Sequence, residues 1–182
     1  TPRFAQTNTS NLVDAYKWTE LDSDCGLAYY TLYSAITDRA EPCESLRANS
    51  CYSLGLNNPT IALSSLQIEA FRQGSDITAE SLTRGQRGAY LTQASHSLAS
   101  GQTAVWHMVA DVEKDQGEIV ALRDALADPV ALTRDISQSV ADGTDALARL
   151  MASRDGIPAT NEETVSVHHY ANVLFHVMRG GN

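Results

Sequence analysis

Residues 103–127, TAVWHMVADVEKDQGEIVALRDALA, decide how the chain is read. Val105, Met108, Val109, Val112, Ile119, Leu122 and Leu126 recur three and four residues apart, the spacing that stacks side chains on one helix face. The same period extends in both directions, and convincing two-residue alternation is absent. Upstream, Thr78 caps a helical stretch reaching Leu98, with Gly85 and Gly88 inside it at a spacing suited to a close helix crossing. Ser100-Gly101-Gln102 breaks it. Downstream, Asp128-Pro129 is an N-cap followed by proline at the first helical position, which predicts a helix to about Ser153. Asp155-Gly156-Ile157-Pro158 reads as a turn. Asn161, with Glu162 and Glu163 behind it, opens a last helix that ends at Gly180-Gly181.

Toward the N-terminus, Asn11–Leu21 and Asp24–Arg39 read as helices, the second with Leu27, Tyr30, Leu32, Tyr33 and Ile36 as its apolar stripe. Pro59 precedes a further helix, Ile61–Gln73, and Gly74 ends it. Ala40–Asn58, rich in Pro, Cys, Ser and Asn, reads as a loop. Residues 1–10 form a loose polar N-terminus. The expectation is an all-α fold: one helical domain over residues 1–182, an irregular bundle of five to seven helices, loop-rich between residues 40 and 60.

A hydrophobic content of 43% over 182 residues is enough for a core without help from a metal or a disulfide. Thirteen basic against twenty-two acidic residues give a net charge of −9, which argues against nucleic acid and anionic lipid as partners. No run of about 18 apolar residues exists, so no membrane span is predicted. Cys43 and Cys51 bracket a short polar segment, and a disulfide between them is expected in an oxidising compartment; Cys25 is then free or paired with another chain. With a first residue that is not Met, this points to a secreted or periplasmic protein.

Val165–Met178, VSVHHYANVLFHVM, differs from the rest, because on a helix it leaves almost no polar face. Such a rod needs shelter on all sides, yet it runs almost to the last residue, Asn182. The expectation is that a second polypeptide covers it. His169, Asn172, His176 and Arg179 follow at spacings of three, four and three, along one side of that helix. His169 and His176 are the candidate catalytic acid–base or oxyanion groups. Asn172 and Arg179 are the candidate substrate-binding residues, Arg179 through a bidentate hold on a carboxylate. His96 and His107 stand three helical turns apart and, with His169 and His176, suggest a metal or haem between two helices. The Glu-x-x-His and HExxH spacings that such sites use are absent, so no metal and no cofactor is predicted. Trp18 with Tyr16, and Tyr29 with Tyr30 and Tyr33, read as core or as the wall of a groove for a sugar or another ring.

Two functional readings follow. In the first, the chain is the smaller, N-terminal chain of a processed two-chain secreted hydrolase. Cleavage after Asn182 frees a Ser, Thr or Cys nucleophile on the partner chain from the same precursor, and the last helix brings side chains to the shared site. In the second, it is a non-catalytic helical module that binds or scaffolds a partner through its apolar C-terminal helix.

Overall fold

The computed structural model describes residues 14–32, 46–154 and 162–179. It overturns the all-α expectation: the fold is mixed, with seven strands and four helices among the described residues. The chain divides into two compact units, residues 1–129 and 130–182.

The first unit is built on two antiparallel sheets. Strand β1 (Lys17–Asp22) turns back into β2 (Leu27–Leu32). Gly26, at φ 72°, makes that turn and donates its N–H to the Asp22 carbonyl at 2.8 Å. The Asp22 side chain accepts the Asp24 N–H at 3.1 Å. Strand β3 (Ala48–Leu54) pairs with β2, and a later strand, β7 (His107–Lys114), pairs with β3. A short strand, β5 (Leu82–Arg84), pairs along β1, which completes the order β5-β1-β2-β3-β7. The second sheet holds β4 (Thr60–Ser64) and β6 (Gly88–Gln93). Helix α1 (Ile68–Arg72) lies between β4 and β5 in the chain.

Alternation on the strands sets which side chains meet. Thr19 stands opposite Tyr30, and Leu21 opposite Ala28. Ala28, Ile61 and Leu63 are buried together, with Leu21, Tyr30 and Tyr90 packed around them. The small sheet therefore covers one face of the large one. Burying Ile61 and Leu63 stabilises this contact by roughly 1.5–3 kcal/mol each. The alternate residues Tyr29 and Thr31 lie beside helix α2 (Gln116–Ala125), which follows β7. Arg123 ties α2 to the β1–β2 turn, its Nε lying 2.9 Å from an Asp22 carboxylate oxygen.

The stretch 103–127 is thus a strand followed by a helix. A bulge marks the end of the strand: the β3–β7 register shifts between Ala48 and Ser50, and Glu113 sits at φ 57°. The Asn49 side chain accepts the Glu113 N–H at 3.1 Å, and Arg47 donates to the Glu113 carbonyl at 3.1 Å. Asp115 then caps α2. Its carboxylate accepts the Glu118 N–H at 2.9 Å, and the Glu118 carboxylate accepts the Asp115 N–H at 2.9 Å. Asp115→Ala is expected to lower the stability of this unit by about 1 kcal/mol, and Asp115→Asn to restore most of the loss. Urea unfolding followed by tryptophan fluorescence checks this, because Trp18 and Trp106 both lie in the first unit.

Other expectations are corrected in the same way. The described part of the predicted helix Asn11–Leu21 holds most of β1, and the described part of Asp24–Arg39 is the β1–β2 turn and β2. The 40–58 loop contains β3. Ile61–Gln73 splits into β4 and the five-residue α1. Thr78–Leu98 holds β5 and β6, so Gly88 serves a sheet contact and not a helix crossing. The expected Cys43–Cys51 disulfide is not formed: Cys51 is a free thiol in the middle of β3, paired across the sheet with Ala28 and Ala110 and only 7% exposed. Cys43 lies outside the described residues. Cys25 is a half-buried free thiol.

The second unit carries α3 (Pro129–Arg154), which begins at the boundary, and α4 (Glu163–Met178). Both start where the N-terminal signals in the sequence place them. On α3, Leu132, Ile136 and Leu147 are half-buried, while Val130 and Val140 are exposed. Among the described residues, no helix is long and apolar enough to cross a membrane.

Candidate functional site

Helix α4 carries the residues singled out in the sequence. Ser166, His169, Tyr170, Val173 and Leu174 are half-buried and define one face. Val165, His168, Asn172, Phe175, His176 and Arg179 are exposed. The four candidates therefore separate: His169 belongs to the sheltered face, whereas Asn172, His176 and Arg179 lie on the open one. The Arg179 guanidinium stands 5.1 Å from the centre of the Phe175 ring, a cation–π contact that steadies both side chains. The His176 ring meets Phe175 nearly edge-on, with centroids 5.9 Å apart. His169 stands 6.1 Å from the Tyr170 ring.

The helical alignment expected of His96 and His107 does not exist. His107 opens β7, and His96 lies in the irregular segment before it, stacked on Trp106 at 6.1 Å. Among the described residues, no group of three or more His, Cys, Asp or Glu could hold a metal ion.

A second feature is a cleft of about 600 Å³ in the first unit. Its floor is the face of the large sheet that carries Tyr30, Cys51 and Ala110. Its roof is the start of β6, residues 88–90. The small sheet covers the β1–β2 side of this face and leaves the cleft open toward Val112, which is 64% exposed on the edge strand β7. Both tyrosines are fixed. The Tyr30 hydroxyl donates to the Ala89 carbonyl at 3.0 Å, and the Tyr90 hydroxyl donates to the Gly26 carbonyl at 2.8 Å. Their rings are therefore rigid walls.

Burial pushes the Tyr30 phenol well above the usual range, with the Cys51 and Tyr90 groups raising it further. Burial likewise raises the Cys51 thiol and the Tyr90 phenol. All three stay protonated at neutral pH, so the interior of the cleft carries neither charge nor thiolate nucleophile.

Charges collect at the rim. Lys17 is paired with Asp14 at 2.6 Å. Asp111 is paired with Lys114 at 2.7 Å; the hydrogen bond from Lys114, and then that from the Val112 N–H, hold the Asp111 carboxyl below the usual range. Arg87 also lines the cleft, is exposed, and has no ion-pair partner among the described residues. Of these residues the sequence marks only Tyr30 as a groove wall, within the aromatic-rich N-terminal stretch; Cys51 is read there as a disulfide partner, Gly88 as a helix-crossing glycine and Val112 as part of a helix stripe. The others come from four further strands and loops, which no local spacing connects. The chain matches no protein-family model and no curated protein.

Proposed function

We propose that this chain is a non-catalytic binding module that docks a partner polypeptide through α4. One observation carries the reading: Val165, Val167 and Phe175 are each more than half exposed and lie outside the half-buried stripe of Ser166, His169, Tyr170, Val173 and Leu174, with Phe175 between the two valines around the helix. Apolar side chains that stay this exposed along one helix mark a helix-in-groove contact, with Phe175 as the anchor. The Arg179 contact presets that ring. Phe175→Asp removes the anchor without touching the half-buried face. It is expected to leave helicity and the unfolding of the first unit unchanged, and to weaken the partner complex about thirtyfold, as the loss of a roughly 2 kcal/mol hot spot does. A photo-crosslinking residue at Val167, in cells that make the protein, is expected to give one discrete adduct that Phe175→Asp abolishes. Absence of an adduct, or one that survives the substitution, overturns the reading.

A second reading is favoured by Asn172, His176 and Arg179 sharing the exposed region with Phe175. In it the partner is a hydrolase that carries the nucleophile, and these three side chains complete its site. The same system separates the two readings, because His176→Ala would then lower turnover of the assembled complex while the adduct remains.

A further inference from the structure

We propose that the cleft roofed by residues 88–90 binds a small, largely apolar molecule that carries one carboxylate. The chemistry of the walls sets the ligand class. About 600 Å³ lies within the ordinary range of small-molecule sites. Inside, most polar side-chain groups are already bonded and none carries a charge; the Ser50 hydroxyl is the one buried lining group without a hydrogen-bond partner among the described residues. The Tyr30 and Tyr90 hydroxyls are bonded to the carbonyls of Ala89 and Gly26. Tyr90 also meets the Ser53 hydroxyl, at 3.3 Å. The Asn49 side-chain oxygen is held by the Glu113 N–H. Cys51 is a protonated thiol. The Ser50 hydroxyl could meet one polar group, but most hydroxyls of a sugar or a nucleotide would be buried here without a partner, which disfavours them. An alkyl chain or a plain ring incurs no such loss.

The rim adds a single sign of charge. Lys17 and Asp14 neutralise each other, as do Asp111 and Lys114. Among the described residues Arg87 remains without an ion-pair partner, and its guanidinium can take a carboxylate in two parallel hydrogen bonds. One unbalanced cation beside an apolar slot complements one anion on an apolar body.

Isothermal titration of the whole chain with decanoate, and with decanol as its uncharged counterpart, tests this. One decanoate per chain is expected. Arg87→Gln should weaken decanoate about tenfold and leave decanol unchanged. Ala110→Trp fills the floor from the exposed edge strand and should abolish both. Val112→Trp, at a side chain 64% exposed, serves the same purpose if Ala110→Trp fails to fold. Absence of saturable decanoate binding overturns the proposal. So does equal decanoate affinity in the filled variant, or in Arg87→Gln.

Discussion

Gly88→Ala lowers the unfolding free energy of the first unit by about 3 kcal/mol, the effect of a methyl group forced into a contact with no room for it. A Cβ on Gly88 would lie 2.6 Å from Tyr30 Cδ1 and 2.7 Å from both Tyr30 Cε1 and Thr19 Oγ1. Neither neighbour can yield cheaply. Thr19 is 2% exposed, and the Tyr30 ring is held at one end by the core around Ala28 and Leu63 and at the other by its bond to Ala89. The sheets must part, or Tyr30 must leave its rotamer. Strand preference works the other way, since alanine in a strand interior is better than glycine by roughly 0.5–1 kcal/mol; the clash outweighs it. Gly85→Ala is the control. That position has a left-handed φ of 67° and open space around it, so its loss is about 1 kcal/mol from backbone strain alone. In a Tyr30→Ala background the Gly88→Ala penalty should fall below about 0.5 kcal/mol, and a double-mutant cycle in urea reads that coupling. A Gly88→Ala protein as stable as the parent would mean that the two sheets do not approach as described. The effect reaches the ligand site as well, because a displaced Tyr30 ring moves one wall of the cleft.

The helical reading of 103–127 failed for a definable reason. A separation of four residues is one turn of helix and also two repeats of a strand, so Met108 and Val112 share a face in either conformation. The residue between them on a strand is Ala110, too small to announce alternation. The discriminating signal was Asp115 with Glu118 three residues later, a capping-box pattern that starts a helix at Gln116 and excludes the preceding residues from it. Strand β3, ANSCYSL, looked like a loop because Ser and Asn dominate it. Yet Ser50 is 2% exposed and Ser64 on β4 is 1% exposed, since small hydroxyl side chains fit where layers come close. By contrast, Asp128-Pro129 announced α3 correctly, and the apolar run announced α4. The cleft was not legible. Its lining joins Tyr30, Cys51, Gly88 and Ala110, which only the strand order brings together.

Glu80→Ala is expected to cost about 3 kcal/mol, although Glu80 is only half-buried. The reason lies in how β4 finishes its hydrogen bonding. On one side β4 pairs with β6. On the other, no strand pairs with it among the described residues, and Glu80 stands in for one. Its N–H donates to the Ile61 carbonyl at 3.0 Å. Its carboxylate accepts the Leu63 N–H at 2.7 Å, the Ser64 hydroxyl at 3.0 Å and the Gln67 side-chain amide at 2.9 Å. Leu63 is fully buried and Ser64 nearly so, and water cannot replace the lost acceptor without opening the sheet edge. Bonds to a charged acceptor contribute about 1.5–3 kcal/mol each. Three such bonds lost, less what Gln67 recovers from solvent, give the figure stated. Glu80→Gln keeps one acceptor oxygen and should recover about half of it. Glu80→Asp keeps the charge but loses the reach and should recover less. Amide exchange at Leu63 separates this local role from a general loss of stability. In the parent that proton exchanges only when the first unit unfolds, whereas in Glu80→Ala it should exchange at least tenfold faster than the amide of Ala28, which the strand ladder still protects. Equal exchange at Leu63 and Ala28 in the variant, or a stability within about 0.5 kcal/mol of the parent, would show that the carboxylate does not close this edge.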